Sequence, residues 1–346
     1  MEKELTELIK KMVIDLGASE VGIVSKKMVE NEVDTIDLTY TLKNAKSAIV
    51  FAVPLNQELI DDYLSKKNQK LNLNKIRTTT FAGGIGLEVA SLLKQLDYDA
   101  VPLAPNYVYR KDSPNGLDDR KPPLSHIFLG LISGVGFMGH SGLLLTKEHG
   151  SAVVLSTVVT DAELISTKVL DHKDNYCDKC NLCSNNCIPK YLNKKETTIK
   201  LNNIKYKTRE YRNKKRCVLV CAGYTGLDSS KKWSSWSSAR FEVPKTDEEI
   251  VESIKNHVPA YLKRKRNAGV FYHPLAPGYQ MEYSCSTCQF ICNPDKQTRA
   301  NRYKLIRNSG VVVEDEKGNR KAVAPEDADK IINKMYKKRR ELFVDY

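Results

Sequence analysis

Seven of the nine cysteines fall into two runs, Cys177-x2-Cys180-x2-Cys183-x3-Cys187 and Cys285-x2-Cys288-x3-Cys292. Three thiolates at three-residue steps wrap one loop around a corner of an iron–sulfur cube. In proteins that carry two cubes, the fourth cysteine of such a run ligates the other one. The second run is one ligand short of the first, so a solitary cysteine between them completes the set, and Cys217 and Cys221 both lie there. The count closes at eight ligands for two [4Fe–4S] clusters, with one thiol left over.

Other uses of cysteine fit less well. Structural zinc takes two separated C-x2-C pairs, and a third cysteine three residues on does not suit that closure. A disulfide framework needs an oxidising compartment. The start, Met1-Glu2-Lys3-Glu4-Leu5, is charged and has no apolar core of a signal peptide. No apolar stretch approaches the roughly 18 residues that span a bilayer. A cytoplasmic protein with no membrane partner is the expectation.

The net charge is +13 over 346 residues, and the basic residues cluster. Lys200 to Arg216 holds eight of them, Lys263-Arg264-Lys265-Arg266 is a block, and Lys337-Lys338-Arg339-Arg340 lies near the end. Such stripes form a solvated face, dock an acidic electron donor of the flavodoxin or ferredoxin type, or neutralise nucleic-acid phosphates. The nucleic-acid use is the least favoured of the three.

Periodicity predicts a helix over 2–16, a strand at 21–24 and a central strand over Ala48–Val53 ended by Pro54. A second helix is expected at about 85–96, opening on Gly83-Gly84-x-Gly86, and an extended piece at 100–103. Residues 105–123 form a polar loop of the length usually kept for function. A helix from Leu124 to about 133 precedes a glycine-rich turn. Leu143–Thr146 and Val153–Val159 then flank Glu148-His149-Gly150 as an expected hairpin. Residues 190–284 separate the cysteine runs and hold the basic stretch and the Trp233-Ser-Ser-Trp236 tract. That tract either caps a substrate entrance or packs the insertion.

Gly134-x-Gly136-x-x-Gly139 matches a dinucleotide fingerprint, but that motif needs a strand before it and a helix after it. Here a helix precedes and extended structure follows. Continued to His140-Ser141-Gly142, the same turn instead lets backbone approach a large planar cofactor.

The segment Leu131–Gly150, then Thr160-Asp161-x-x-Leu164 and the cysteine runs, resembles epoxyqueuosine reductases and the catalytic cores of reductive dehalogenases. The likeness covers 125–190 and 283–294 well and the first 120 residues loosely. It implies an α+β fold: a nitroreductase-like cobalamin-binding core over 1–168, a bacterial-ferredoxin-like two-cluster module over 169–300 with an insertion at about 190–284, and a basic tail or helix over 301–346. It implies a cobalamin held base-off and reduced through the clusters, with Gly136, Gly139, His140, Ser141, Gly142 and Leu143 lining the corrin. By the same likeness Cys177, Cys180, Cys183 and Cys292 hold one cube, and Cys187, Cys217, Cys285 and Cys288 the other. Cys217 is preferred to Cys221 because it follows the basic pair Lys215-Arg216.

Two departures redirect the functional expectation. The family's acidic proton donor lies in a D-S-A-P stretch, which here is Pro102-Leu103-Ala104-Pro105. Neither the family's tRNA-gripping helical repeats nor a twin-arginine signal is expected in this chain. The expected function is a cobalamin-dependent reductase of a small organic molecule. An electron-transfer protein without corrinoid and a tRNA-modifying enzyme are the alternatives. A proton donor is expected on the 105–126 loop, with Tyr107, Tyr109 and His126 the first candidates and Asp112 and Asp119 beside them.

Overall fold

The computed structural model describes residues 2–105, 108–265, 270–273 and 276–344; for Asp118, 270–273 and 276–282 it describes the backbone alone. In chain order, α1 (Glu2–Asp15), β1 (Glu20–Ser25), β2 (Ser47–Pro54), α2 (Glu58–Leu64), α3 (Lys70–Gln95) and β3 (Ala100–Leu103) are followed by α4 (His126–Ile132). Next come β4 (Phe137–Met138), β5 (Leu144–Leu145), β6 (Val153–Thr160), α5 (Leu182–Asn185), β7 (Leu192–Leu201), β8 (Ile204–Tyr211) and α6 (Lys214–Cys221). The remainder is α7 (Glu249–Lys263), β9 (Val270–His273), β10 (Ala276–Glu282), α8 (Thr287–Ile291), α9 (Lys296–Arg307), β11 (Val311–Glu314), β12 (Arg320–Val323), α10 (Pro325–Lys334) and α11 (Lys337–Arg340). The fold is mixed α and β, as expected.

The chain forms two compact units. The first comprises Met1–Leu55, Lys75–Lys179 and Thr198–Thr208; the second comprises Asn56–Asn74, Cys180–Thr197 and Arg209–Tyr346. The first is built on an antiparallel sheet of order β1-β2-β6-β3. Seven of the eight residues of β2 are buried, which is why its sequence is an unbroken apolar run rather than an alternating one. Ala48, Val50 and Ala52 face a core that includes Leu129, Ile132 and Val135 from and just after α4. Ile49, Phe51 and Val53 point the other way. On that opposite face a Cβ added at Gly86 of α3 would meet Pro102, Ser156 and Val158 at 3.5–3.7 Å.

Two local expectations are corrected. Helix α3 begins at Lys70, not near residue 85, so the three glycines lie inside it rather than at its start. Its first half, rich in Asn and Thr, has weak intrinsic helix propensity, which tertiary context overrides: Leu71 and Asn72 are buried and Asn72 donates to the Tyr283 carbonyl. Leu144–Leu145 pairs backward with Phe137–Met138, not forward with Val153. Thr146 closes the intervening turn through its bridge to Gly150, and the chain then leaves to insert β6 between β2 and β3.

The insertion between the cysteine runs contains the β7–β8 hairpin, whose residues 198–208 belong to the first unit, and α6, α7 and the β9–β10 pair of the second unit. Leu219 and Ala222 pack with Ile250 and Tyr261 as one core cluster. Val311, Val313 and Ala328 form another.

Candidate cluster and cofactor site

None of the nine cysteines is in a disulfide. In the second unit the chain gathers those that the two runs and α6 supply. Cys285 is pushed well above its ordinary value by its hydrogen bond with Cys221 and by burial. Burial likewise raises Cys288, and the neighbouring Cys187, Cys285, Cys221 and Cys183 add to the effect. Cys187 is pushed up to about 11 by burial. Packing several thiols into a dry pocket is unfavourable as thiolates unless a cation neutralises them. This donor set fits an iron–sulfur cube, whose binding would release the protons. Among the described residues no three His, Cys, Asp or Glu side chains are poised to share a single ion. A cube asks for something different, since its four thiolates end on four separate irons.

The wall behind Cys285 comes from α2 and the tryptophan tract. Tyr63 donates its hydroxyl to the Cys285 carbonyl at 3.0 Å, and Asn72 donates to the Tyr283 carbonyl at 2.7 Å. Trp236 donates its indole N–H to the Tyr63 carbonyl at 3.0 Å, and Phe290 meets the Tyr63 ring edge-on. Lys66 is buried here, its ammonium 5.7 Å from the Trp236 ring centroid, and burial lowers its value to about 8. Trp233 and Trp236 are both fully buried. Of the two roles expected for the tract, packing is the one it performs.

Arg216, counted above with the basic stretch, is buried. Its guanidinium donates to the carbonyls of Pro189, Pro244, Lys245 and Thr246 and pairs with Asp247. It therefore fastens α6 to the end of the first cysteine run. Arg264 is likewise turned inward, donating to the Gly223 carbonyl at 2.9 Å. The outward basic residues are others: Lys194, Lys195, Lys200, Lys205 and Lys207 on the β7–β8 hairpin are exposed. At the base of that hairpin Tyr191 and Tyr211 stack, 4.8 Å apart at 11°. Burial raises the Tyr191 phenol, as do the nearby Cys217, Cys288 and Cys187.

In the first unit the glycine-rich turn is tied to the start of the cysteine run. The backbone N–H of His140 donates to Cys177 Sγ at 3.3 Å. Asn175 donates to the Met138 carbonyl at 3.0 Å and accepts from the Cys177 N–H at 3.0 Å. Tyr176 donates to the Thr146 carbonyl at 2.9 Å and meets Phe137 edge-on. The turn itself is closed by Gly139 N–H to Leu143 O and Gly142 N–H to Gly139 O, with Gly142 at φ +76°. His140 and Ser141 are buried, so His140 is not a surface turn residue. A Cβ on Gly136 would lie 2.6 Å from the Leu145 carbonyl oxygen, and one on Gly139 3.1 Å from that of Leu143. Those two glycines are thus required by the chain's own close approach.

The expected proton-donor loop is ordered by ion pairs. Arg110 makes a bidentate contact with Asp112 at 3.0 and 2.9 Å, lies 3.5 Å from Asp34 and stacks on Tyr40 at 3.8 Å. It is therefore committed to the loop, and the cation that acts on Tyr109 is Arg120. Burial raises the Tyr109 phenol and Arg120 opposes that rise. Asp119 accepts from the backbone and side chain of Asn115, closing a turn. Tyr107 lies outside the described residues.

His126 shares a 2.7 Å hydrogen bond with Thr157 Oγ1. Burial lowers its value to about 4, against a smaller opposing contribution from the Ala104 backbone. The ring is neutral at pH 7 and joins Pro102–Pro105 to β6 rather than holding a ready proton. Its ordinary value is about 6.5. The stability this gives is full above pH 6.5 and is lost as pH falls towards 4, about 3 kcal/mol in all. Urea unfolding between pH 7 and 4 should show that loss, and His126→Gln should flatten it; an unchanged slope in the variant would rule out His126 as its source.

No family model and no curated protein matches the chain. Solved structures do. A catabolic reductive dehalogenase is 15% identical, with a TM-score of 0.49 over 64% of this chain and 30% of that one. An epoxyqueuosine reductase from Streptococcus thermophilus is 19% identical, with a TM-score of 0.39 over 59% and 56%. An epoxyqueuosine reductase solved with a modified tRNA-Tyr stem loop is 14% identical, with a TM-score of 0.43 over 97% and 74%. The chain spans less than a third of the dehalogenase chain it matches.

Sequence reading missed Asn175, Tyr176, Tyr63 and Lys66. The first two border Cys177, and their placement there was the available signal. Tyr63 and Lys66 lie more than 200 residues before Cys285, and nothing local announces their role.

Proposed function

We propose that this protein is a reductase that holds two [4Fe–4S] clusters and a corrinoid and acts on a small organic substrate. The observation that carries the reading is the hydrogen bond from the His140 peptide to Cys177 Sγ. It makes the cofactor-facing turn and the first cluster ligand one connected piece of backbone. When bound, the cubes supply single electrons and the corrinoid a low-valent cobalt nucleophile.

As the resemblance to epoxyqueuosine reductases implies, Cys177, Cys180, Cys183 and Cys292 hold one cube in this reading, and Cys187, Cys217, Cys285 and Cys288 the other. The His140 N–H stabilises negative charge on Cys177. His140, Ser141, Gly142 and Leu143 offer the corrin a short, tightly closed turn, with Gly136 and Gly139 fixing its backbone. Tyr109 is the proton donor in this reading, and the neutral state of His126 with its bond to Thr157 supports the choice. Tyr107 remains a candidate beside it. An acidic flavodoxin or ferredoxin docks on the exposed lysines of β7–β8, next to the Tyr191–Tyr211 stack. Free thiols and reduced clusters suit the cytoplasm.

Anaerobic reconstitution followed by an iron count and a cobalamin titration tests this. The expected result is about eight irons per chain and a base-off cobalamin spectrum. A full iron complement with no corrinoid uptake would leave an electron-transfer protein in its place. Salt-sensitive binding of a tRNA with catalytic turnover on it would move the substrate from small molecules to nucleic acid.

A further inference from the structure

Asn186 stands one residue before Cys187 and is completely buried. Neither Oδ1 nor Nδ2 of its side chain meets a hydrogen-bonding partner among the described residues. Its backbone, in contrast, is well satisfied. The N–H donates to the Leu182 carbonyl at 3.2 Å, and the carbonyl accepts from Thr287 Oγ1 at 3.3 Å. Thr287 lies between Cys285 and Cys288 in sequence, so Asn186 is held where the two cysteine runs of the second unit meet.

A buried primary amide without partners is rare and costly, and a leucine of nearly the same size would fill such a space without that cost. The polypeptide therefore leaves a donor for something it does not itself supply. An unsatisfied carbonyl oxygen is the more tolerable half of the amide, and an unsatisfied N–H the less. What the Nδ2 hydrogens need is an acceptor, and the acceptors this pocket is built to receive are thiolate and inorganic sulfide.

We infer that the side-chain amide of Asn186 donates a hydrogen bond to a sulfur of the cluster held by Cys187, Cys285 and Cys288. This rests on the two-cluster reading above. A hydrogen bond to sulfur stabilises the more negative, reduced cluster and so raises its reduction potential. Asn186 acts as a positioning and tuning residue that touches the cofactor without ligating it.

The test uses the reconstituted holoprotein and the variants Asn186→Leu and Asn186→Met, which nearly keep the size and carry no polar side-chain hydrogen. Iron counts and an EPR-monitored redox titration are the readouts. Both variants should retain about eight irons and two cluster signals. At the potential where wild type is half reduced at one cluster, its reduced-to-oxidised ratio in the variants should fall about tenfold, with the other cluster unmoved. Unchanged potentials with intact clusters would overturn the inference. A second measurement avoids substitutions altogether: wild type labelled with 15N-asparagine should show a nitrogen coupling to one reduced cluster by pulsed EPR, and its absence would overturn the inference too. A wild type without clusters would instead sink the two-cluster reading itself.

Discussion

Anaerobically reconstituted Cys285→Ser should carry about four irons where wild type carries about eight, and one of two cluster EPR signals should disappear. Serine is close in size to cysteine, and the bond that positions this residue runs from Tyr63 to its backbone carbonyl, so the fold survives the exchange. What goes is a thiol at the centre of the crowded pocket, the one against which Cys221 rests. The same assay decides the eighth ligand. Cys217 and Cys221 lie one turn apart on α6 with their sulfurs 3.4 Å from each other. Thiolates on separate irons of one cube do not touch, so only one of the two can serve. Cys221 is in hydrogen-bond contact with Cys285, whereas Cys217 shares Tyr191 as a neighbour with Cys288 and Cys187. Cys217→Ser should therefore lose about four irons and Cys221→Ser none. The reverse pattern would hand the role to Cys221. Loss of no iron in Cys285→Ser would remove the proposed cube altogether.

That cysteines of the two runs come together could be anticipated from sequence, because both runs keep short, regular spacings, and Cys187, Cys285 and Cys183 are neighbours of Cys288. Strand β2 could be read because burial on both faces demands an unbroken apolar run. The start of α3 was not legible: its Asn- and Thr-rich first half carries little intrinsic helix preference, and a partner distant in sequence, the Tyr283 carbonyl that accepts from Asn72, meets it there. The pairing of Leu144 was misassigned because a turn at Glu148–Gly150 looks the same whether it joins paired strands or ends one hairpin. Arg216 was placed with the solvated basic residues for a similar reason. Charge is visible in a sequence, while the four carbonyls that bury this guanidinium come from Pro189 and residues 244–246. The α2 and α3 part of the wall behind Cys285 was out of reach, since Tyr63, Lys66 and Asn72 lie far in sequence from either run.

Gly22→Ala should be the most destabilising single-atom-scale change in the first unit. Gly22 sits in β1 opposite Val50 of β2. A Cβ there would lie 2.1 Å from the Ser133 carbonyl oxygen and 2.8 Å from the Ser133 Cβ. Ser133 caps α4, and Gly134 follows it at φ +74°, so neither neighbour can step aside without moving the helix end. Overpacking of a core ordinarily costs about 1–3 kcal/mol. With backbone as the obstacle, the upper end of that range is expected, a large share of the roughly 5–15 kcal/mol that holds a domain together. Chemical unfolding should show a lower midpoint with an unchanged denaturant slope. The damage should also reach the cofactor. Moving the end of α4 shifts the turn that begins at Gly134, and with it the His140 peptide that meets Cys177. Corrinoid uptake should weaken while the cube held by Cys187, Cys285 and Cys288 keeps its irons. The control is Gly84→Ala, at a helical position where a Cβ meets nothing within 4 Å. Alanine there should stabilise the cofactor-free protein by about 0.5–1 kcal/mol. A Gly22→Ala protein as stable as wild type would show that β1 and α4 are not held at the distance on which the turn depends.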